Sequence, residues 1–124
     1  MKEKYALSKR GLALAGLVMS ALSPAWAGTL TTTNYVVTIT PHCGEGQVTC
    51  DDVTYHGRSK LSGEEIELKG ETMHLLCGDK KTPCRFLGYH FQNDDYEYQV
   101  FDSGVLRVKH NAKLVVDERG QWSN

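Results

Sequence analysis

The sequence predicts an all-β protein: a small antiparallel barrel or sandwich of seven or eight short strands, stapled by two local disulfides. Three observations carry this. Apolar and polar residues alternate at period two through most of Leu30 to Val116, which gives strands with one buried and one wet face. The gaps between the alternating runs hold Gly, Asn and Asp, which tolerate positive φ and close tight hairpins. Four cysteines stand in two equal spacings, Cys43-x6-Cys50 and Cys77-x6-Cys84.

In chain order, Thr31 to Thr40 (TTTNYVVTIT) is β-branched and aromatic and predicts one strand. Val53 and Tyr55 mark the next, and Ile66 and Leu68 another. Met73, Leu75 and Cys77 share a parity, as do Leu87, Tyr89 and Phe91. Tyr96, Tyr98 and Val100 follow, then Leu106 with Val108 and Leu114 with Val116. Turns are predicted at Ser62-Gly63, Lys69-Gly70, Asn93-Asp94-Asp95, Asp102-Ser103-Gly104 and His110-Asn111-Ala112. Asp117 to Asn124 is a polar tail apart from Trp122. No window shows an apolar stripe of helical period. Closing the sheet into a barrel would remove its exposed edges.

The 124 residues carry a formal net charge of -1, and that balance conceals an N-terminal leader. Lys2, Lys4, Lys9 and Arg10 precede the apolar run Leu12 to Leu22; Pro24 breaks it, and Ala25-Trp26-Ala27 forms an A-x-A site. This predicts a secretory signal peptide over 1–27, cut between Ala27 and Gly28, and a single β domain over 28–124 in the periplasm or outside the cell. The apolar run is shorter than the roughly 20 residues a bilayer span needs, so no membrane insertion of the mature chain is expected. Residues 28–124 hold ten Lys and Arg against fourteen Asp and Glu. Such a domain is a poor match for nucleic-acid phosphates and a suitable partner for a basic protein.

In an oxidising compartment four cysteines read as two disulfides. Of the three pairings, Cys43–Cys50 and Cys77–Cys84 are preferred, each closing a short hairpin loop worth roughly 2–3 kcal/mol by chain entropy. A four-cysteine zinc site would want C-x2-4-C knuckles, which the chain lacks. A shift of 34 residues aligns Thr38–His56 with Thr72–His90. The aligned identities are Thr38/Thr72, Cys43/Cys77, Gly44/Gly78, Cys50/Cys84, Tyr55/Tyr89 and His56/His90; beyond them Ile66/Val100 and Gly70/Gly104 stay in register. The repeating unit would be strand, cysteine-closed loop, strand, with Tyr55 and Tyr89 facing away from His56 and His90.

No catalytic pattern appears. There is no G-x-S-x-G elbow, and the disulfides use every thiol. The carboxylate runs Asp51-Asp52, Glu64-Glu65-Glu67 and Asp94-Asp95 read as solvated hairpin ends. His42, His56, His74, His90 and His110 lack metal-ligand spacing, so no metal and no cofactor are expected. The expectation is a small binding protein, not an enzyme: an inhibitor or immunity-type protein that caps a cell-wall hydrolase or a secreted effector. Its binding residues would be Glu45 and Asp79 on the cysteine loops, Asp94 and Asp95, the aromatic anchors Tyr96 and Tyr98, and the repeated His56 and His90. The alternatives are a structural or adhesive envelope component, with Thr29–Thr40 donated as a strand to a neighbour, and a secreted factor acting on host or competitor cells.

Overall fold

The computed structural model describes residues 28–44 and 46–123. Eight antiparallel strands follow one another around a closed barrel: β1 (Gly28–Thr32), β2 (Tyr35–Pro41), β3 (Val53–Ser59), β4 (Glu65–Leu76), β5 (Pro83–Asn93), β6 (Tyr96–Phe101), β7 (Val105–His110) and β8 (Lys113–Ser123). β1 pairs with β8, Thr29 opposite Ser123 and Thr32 opposite Gly120, so the sheet has no free edge. The predicted signal segment 1–27 and Glu45 lie outside the described residues. Among the described residues no helix is long and apolar enough to cross a membrane.

The period-two pattern fills the interior. Leu30, Val37, Ile39, Val53, Tyr55, Leu68, Tyr89, Phe91, Val100, Leu106 and Val108 form one buried cluster contributed by β1 to β7. Trp122 packs against it from β8 and donates its indole N–H to the Asp102 carbonyl at 3.0 Å. Both disulfides are present and local, with Cα–Cα distances of 5.8 Å for Cys43–Cys50 and 5.2 Å for Cys77–Cys84.

Three elements depart from the sequence expectation. Thr31–Thr40 is two strands with a turn at Thr33-Asn34, not one strand. That turn has no glycine. The Thr32 hydroxyl accepts from Tyr35 N–H at 3.1 Å, and the Glu118 carboxylate accepts from the Asn34 backbone and side chain at 3.0 and 2.7 Å. Lys69-Gly70 is not a turn, because β4 runs through it. Gly70 sits opposite both Val53 and Phe91, where a Cβ would collide with the His90 carbonyl oxygen and the Phe91 ring. Asp117 to Ser123 is not a tail but the half of β8 that closes the barrel on β1. Two residues of the predicted apolar faces, Leu75 and Leu114, are about half exposed, at 53% and 47%. The stretch proposed for donation to a neighbour, Thr29–Thr40, supplies β1 and β2 of the chain's own barrel.

An up-and-down meander sends alternate connections to opposite ends. One end, the loop end, carries the cysteine loops 42–52 and 77–82, the turn 102–104, Gly28 and Ser123. The other, the turn end, carries the turns 33–34, 60–64, 94–95 and 111–112.

Candidate functional site

Toward the turn end four tyrosines from β2, β3 and β6 line the interior. Tyr35 opens β2, Tyr96 opens β6, Tyr98 follows it on the same face, and Tyr55 lies deeper on β3. With Gly57, Ile66, Leu106, Val108 and Val116 these rings line an open cup of about 650 Å³, within the size range of ligand sites. Gly57 makes room for it: a Cβ there would stand 2.6 Å from the Tyr55 ring, so only glycine lets that ring lie along the wall. Tyr55 is tilted against Tyr98 at 5.3 Å and against Phe91 at 5.2 Å between centroids. The rings brace one another in tilted packing.

The margin of the cup is polar and acidic on one side and apolar on the other. Ser59, Ser62, Glu64 and Glu65 line it from the β3–β4 hairpin. Val115 lines it from β8 and is 51% exposed; Leu114 and Leu61 are exposed at the same end of the barrel but are not among the lining residues. No Lys or Arg is among the lining residues. The Tyr55 and Tyr98 phenols stay neutral. Burial pushes the Tyr55 hydroxyl up, with the Tyr98 and Tyr35 phenols adding to it. Burial likewise raises Tyr98, with the Tyr96 and Tyr35 phenols adding to it and a hydrogen bond with Asn93 opposing.

The candidates named from sequence do not share one surface. Asp94, Asp95, Tyr96 and Tyr98 meet at the turn end. Asp95 is tied to His110, Oδ2 to Nε2 at 2.9 Å, and His110 stacks on Tyr96 at 4.2 Å. Asp79 lies at the opposite end, and its carboxylate is committed to its own loop. Oδ1 accepts from the Lys81 and Thr82 N–H groups at 2.9 Å each and Oδ2 from the Thr82 hydroxyl at 2.5 Å. Those bonds, the Thr82 hydroxyl first, hold its carboxyl down to about 2. Glu45, from the other cysteine loop, is outside the described residues.

His56 and His90 stand on the outer wall, where each meets a carboxylate of the following strand: Glu65 at 2.7 Å and Glu97 at 2.8 Å. The internal repeat is therefore physical in β3 and β5, with Tyr55 and Tyr89 buried and the histidines paired outside. Its register past the histidines is not the one the sequence gives by a constant shift. Leu68 is opposite Tyr55 and Val100 opposite Tyr89, so Val100 corresponds to Leu68, not Ile66. The β5–β6 turn is shorter than the β3–β4 turn, which changes the offset.

Sequence reasoning missed Tyr35, Tyr55 and Val115 as site residues. Tyr35 was hidden inside the false single strand. The available signal was aromatic residues of inward parity close to the same barrel end. At the loop end Gln47, Val48, Thr49, Asp51 and Glu71 surround a shallower, polar depression of about 590 Å³. No group of three or more His, Cys, Asp or Glu among the described residues could hold a metal ion. Comparison of the chain with protein-family models, with curated proteins and with solved structures gives no match.

Proposed function

We propose that this protein is a small periplasmic or secreted binding protein of the inhibitor or immunity kind, which caps a basic hydrolase or effector with the turn end of its barrel. The observation that carries this is the tyrosine cup with its acidic margin and the exposed Val115 beside it. Tyrosines in a concave setting are residues that anchor interfaces. Leu61, Leu114 and Val115 are all exposed toward the turn end, where a partner seated on the cup would cover apolar surface. The closed barrel fixes the cup before a partner arrives, which lowers the ordering cost of binding. The excess of acidic over basic residues in 28–124 speeds encounter with a basic partner. In this proposal the cysteine loops stiffen the far end and do not make the contact.

The test is retention of partners from envelope and supernatant extract on oxidised protein spanning 28–124, compared with a Leu61→Asp/Val115→Asp variant. Both positions are exposed, so the fold is expected to survive the change. One stoichiometric basic protein held by the parent and lost by the variant is the expected result. Equal retention by both would move the contact away from the cup. Recovery of the protein alone, as assemblies, would favour the structural alternative. An intact mass for a chain starting at Gly28 and lacking four thiol hydrogens tests the secretory part.

A further inference from the structure

The geometry points to the tyrosine cup as a receptor for a guanidinium group on an apolar stem: an arginine side chain of the capped protein, seated among Tyr35, Tyr55 and Tyr98 and met at the rim by Glu64. This deepens the capping proposal and rests on it for the identity of the donor. Three features of the cup agree on that chemistry.

The first is an orphaned polar group. Tyr55 is 2% exposed and lines the cup, and its hydroxyl has no hydrogen-bond partner among the described residues. A buried hydroxyl without a partner is costly, and native structures rarely keep one without a reason. A hydroxyl oxygen can accept an N–H, and a guanidinium offers five.

The second is the sign of the charge. The lining holds two carboxylates and no cation. Glu65 is engaged by His56, which leaves Glu64 without an ion pair among the described residues. A cationic head reaching the cup finds a free carboxylate at its margin, and a guanidinium can bind such a group through two parallel N–H bonds.

The third is the wall itself. Tyrosine faces attract cations, and a planar guanidinium stacks on them as an ammonium cannot. The aliphatic side chains of Ile66, Leu106, Val108 and Val116 line the same space and suit the methylene stem. An anion would meet carboxylates and ring faces of the wrong sign, and a purely apolar ligand would leave the Tyr55 hydroxyl and Glu64 unanswered.

The probe is N-acetyl-L-argininamide, titrated into oxidised protein 28–124 while tyrosine-ring NMR signals are followed. N-acetyl-L-citrullinamide serves as the uncharged analogue and tetramethylammonium as a cation without N–H donors. The expected result is saturable movement of the Tyr35, Tyr55 and Tyr98 ring signals with argininamide, and at least tenfold weaker binding of citrullinamide. Glu64→Gln should weaken argininamide binding by roughly threefold to tenfold, and Tyr55→Phe by a similar factor. Tyr55→Phe also removes the orphaned hydroxyl, so the free protein should melt no lower than the parent; weaker binding with an undiminished melting temperature cannot come from misfolding.

Equal binding of citrullinamide, tighter binding of tetramethylammonium, or no movement with argininamide each overturns the inference. The outcome for the capping proposal is read separately. A partner lost by the Leu61→Asp/Val115→Asp variant but not competed by argininamide leaves capping standing and removes the arginine. Argininamide binding with no protein partner captured keeps the cup's chemistry and removes capping.

Discussion

At the scale of single residues, two side chains stand where ordinary preference would not put them. Ala112 has φ 68° in the two-residue turn after His110, and Asn111 before it has φ 53°. Two positive φ values are the signature of a type I′ hairpin, whose second position favours glycine. Asn tolerates that region and alanine does so at a cost. Ala112→Gly should therefore raise stability by about 0.5–1 kcal/mol, read as an upward shift of the thermal midpoint. Glu118 is the second case, an acid on the inward face of β8. Burial alone would raise its carboxyl, but the Asn34 side chain, the Thr32 hydroxyl, the Asn34 N–H and the nearby Lys60 more than reverse this and hold it below the usual glutamate value of 4.5. A carboxyl depressed in the folded state stabilises fully above its unfolded value, and that contribution is lost as pH falls through the folded one. Glu118→Gln should cost about 1 kcal/mol at neutral pH, the partial exposure of the group keeping the figure small, and the deficit should close as the pH is lowered below 4.5. Parallel urea titrations of parent and variant across that range check both sign and window.

At the scale of elements, the two cysteine loops are not equivalent despite equal spacing. Cys77–Cys84 closes the hairpin between β4 and β5. The Cys43–Cys50 loop does more. It lies beside the second half of β4, past the last residue that pairs with β3, where Thr72 N–H donates to the Cys50 carbonyl at 2.8 Å and Cys50 N–H donates to the Thr72 hydroxyl at 3.0 Å. Cys50 is also part of the buried cluster. A Cys43→Ser/Cys50→Ser variant should thus lose more than the roughly 2–3 kcal/mol of loop entropy expected for either bridge. Its distinguishing mark should be accelerated amide exchange at Thr72, with the Cys77→Ser/Cys84→Ser variant leaving that amide protected. The paired histidines of β3 and β5 are partly solvated surface pairs, each worth about 1 kcal/mol or less, so they decorate the repeat and do not hold it together.

At the scale of the whole molecule, closure is the decisive event. β1 has β2 on one side and β8 on the other, and the β8 residues it pairs with are Gly120 to Ser123. Removing residues 118–124 would strip β1 of a partner, delete the carboxylate that holds the β1–β2 turn, and expose a sheet edge. That truncation should abolish cooperative unfolding and promote self-association, measured by circular dichroism and sedimentation. Trp122 is the single tryptophan of residues 28–124 and packs on the core, so its fluorescence reports closure directly. The same closure gives the molecule its polarity: one end stapled by disulfides, the other left open as a rigid cup.

The sequence by itself determined the fold class, because period-two alternation, turn residues and paired cysteines are local signals that any strand obeys. It also placed Tyr96, Tyr98, Asp94 and Asp95 correctly near one hairpin, since they are neighbours in the chain. Tertiary structure decided what locality could not carry. The turn at Thr33-Asn34 exists because Glu118, 84 residues away, bonds to it. β4 continues through Gly70 because two neighbouring strands press on that position. The polar-looking end of the chain is a strand because β1 needs a partner. Asp79 was separated from Asp94 and Asp95 by the up-and-down path, which sends successive connections to opposite ends. The cup itself is assembled from β2, β3, β4, β6, β7 and β8; only closure of the sheet brings Tyr35, Tyr55 and Tyr98 around one space, because side chains far apart in sequence become neighbours only when the strands between them curve back on themselves.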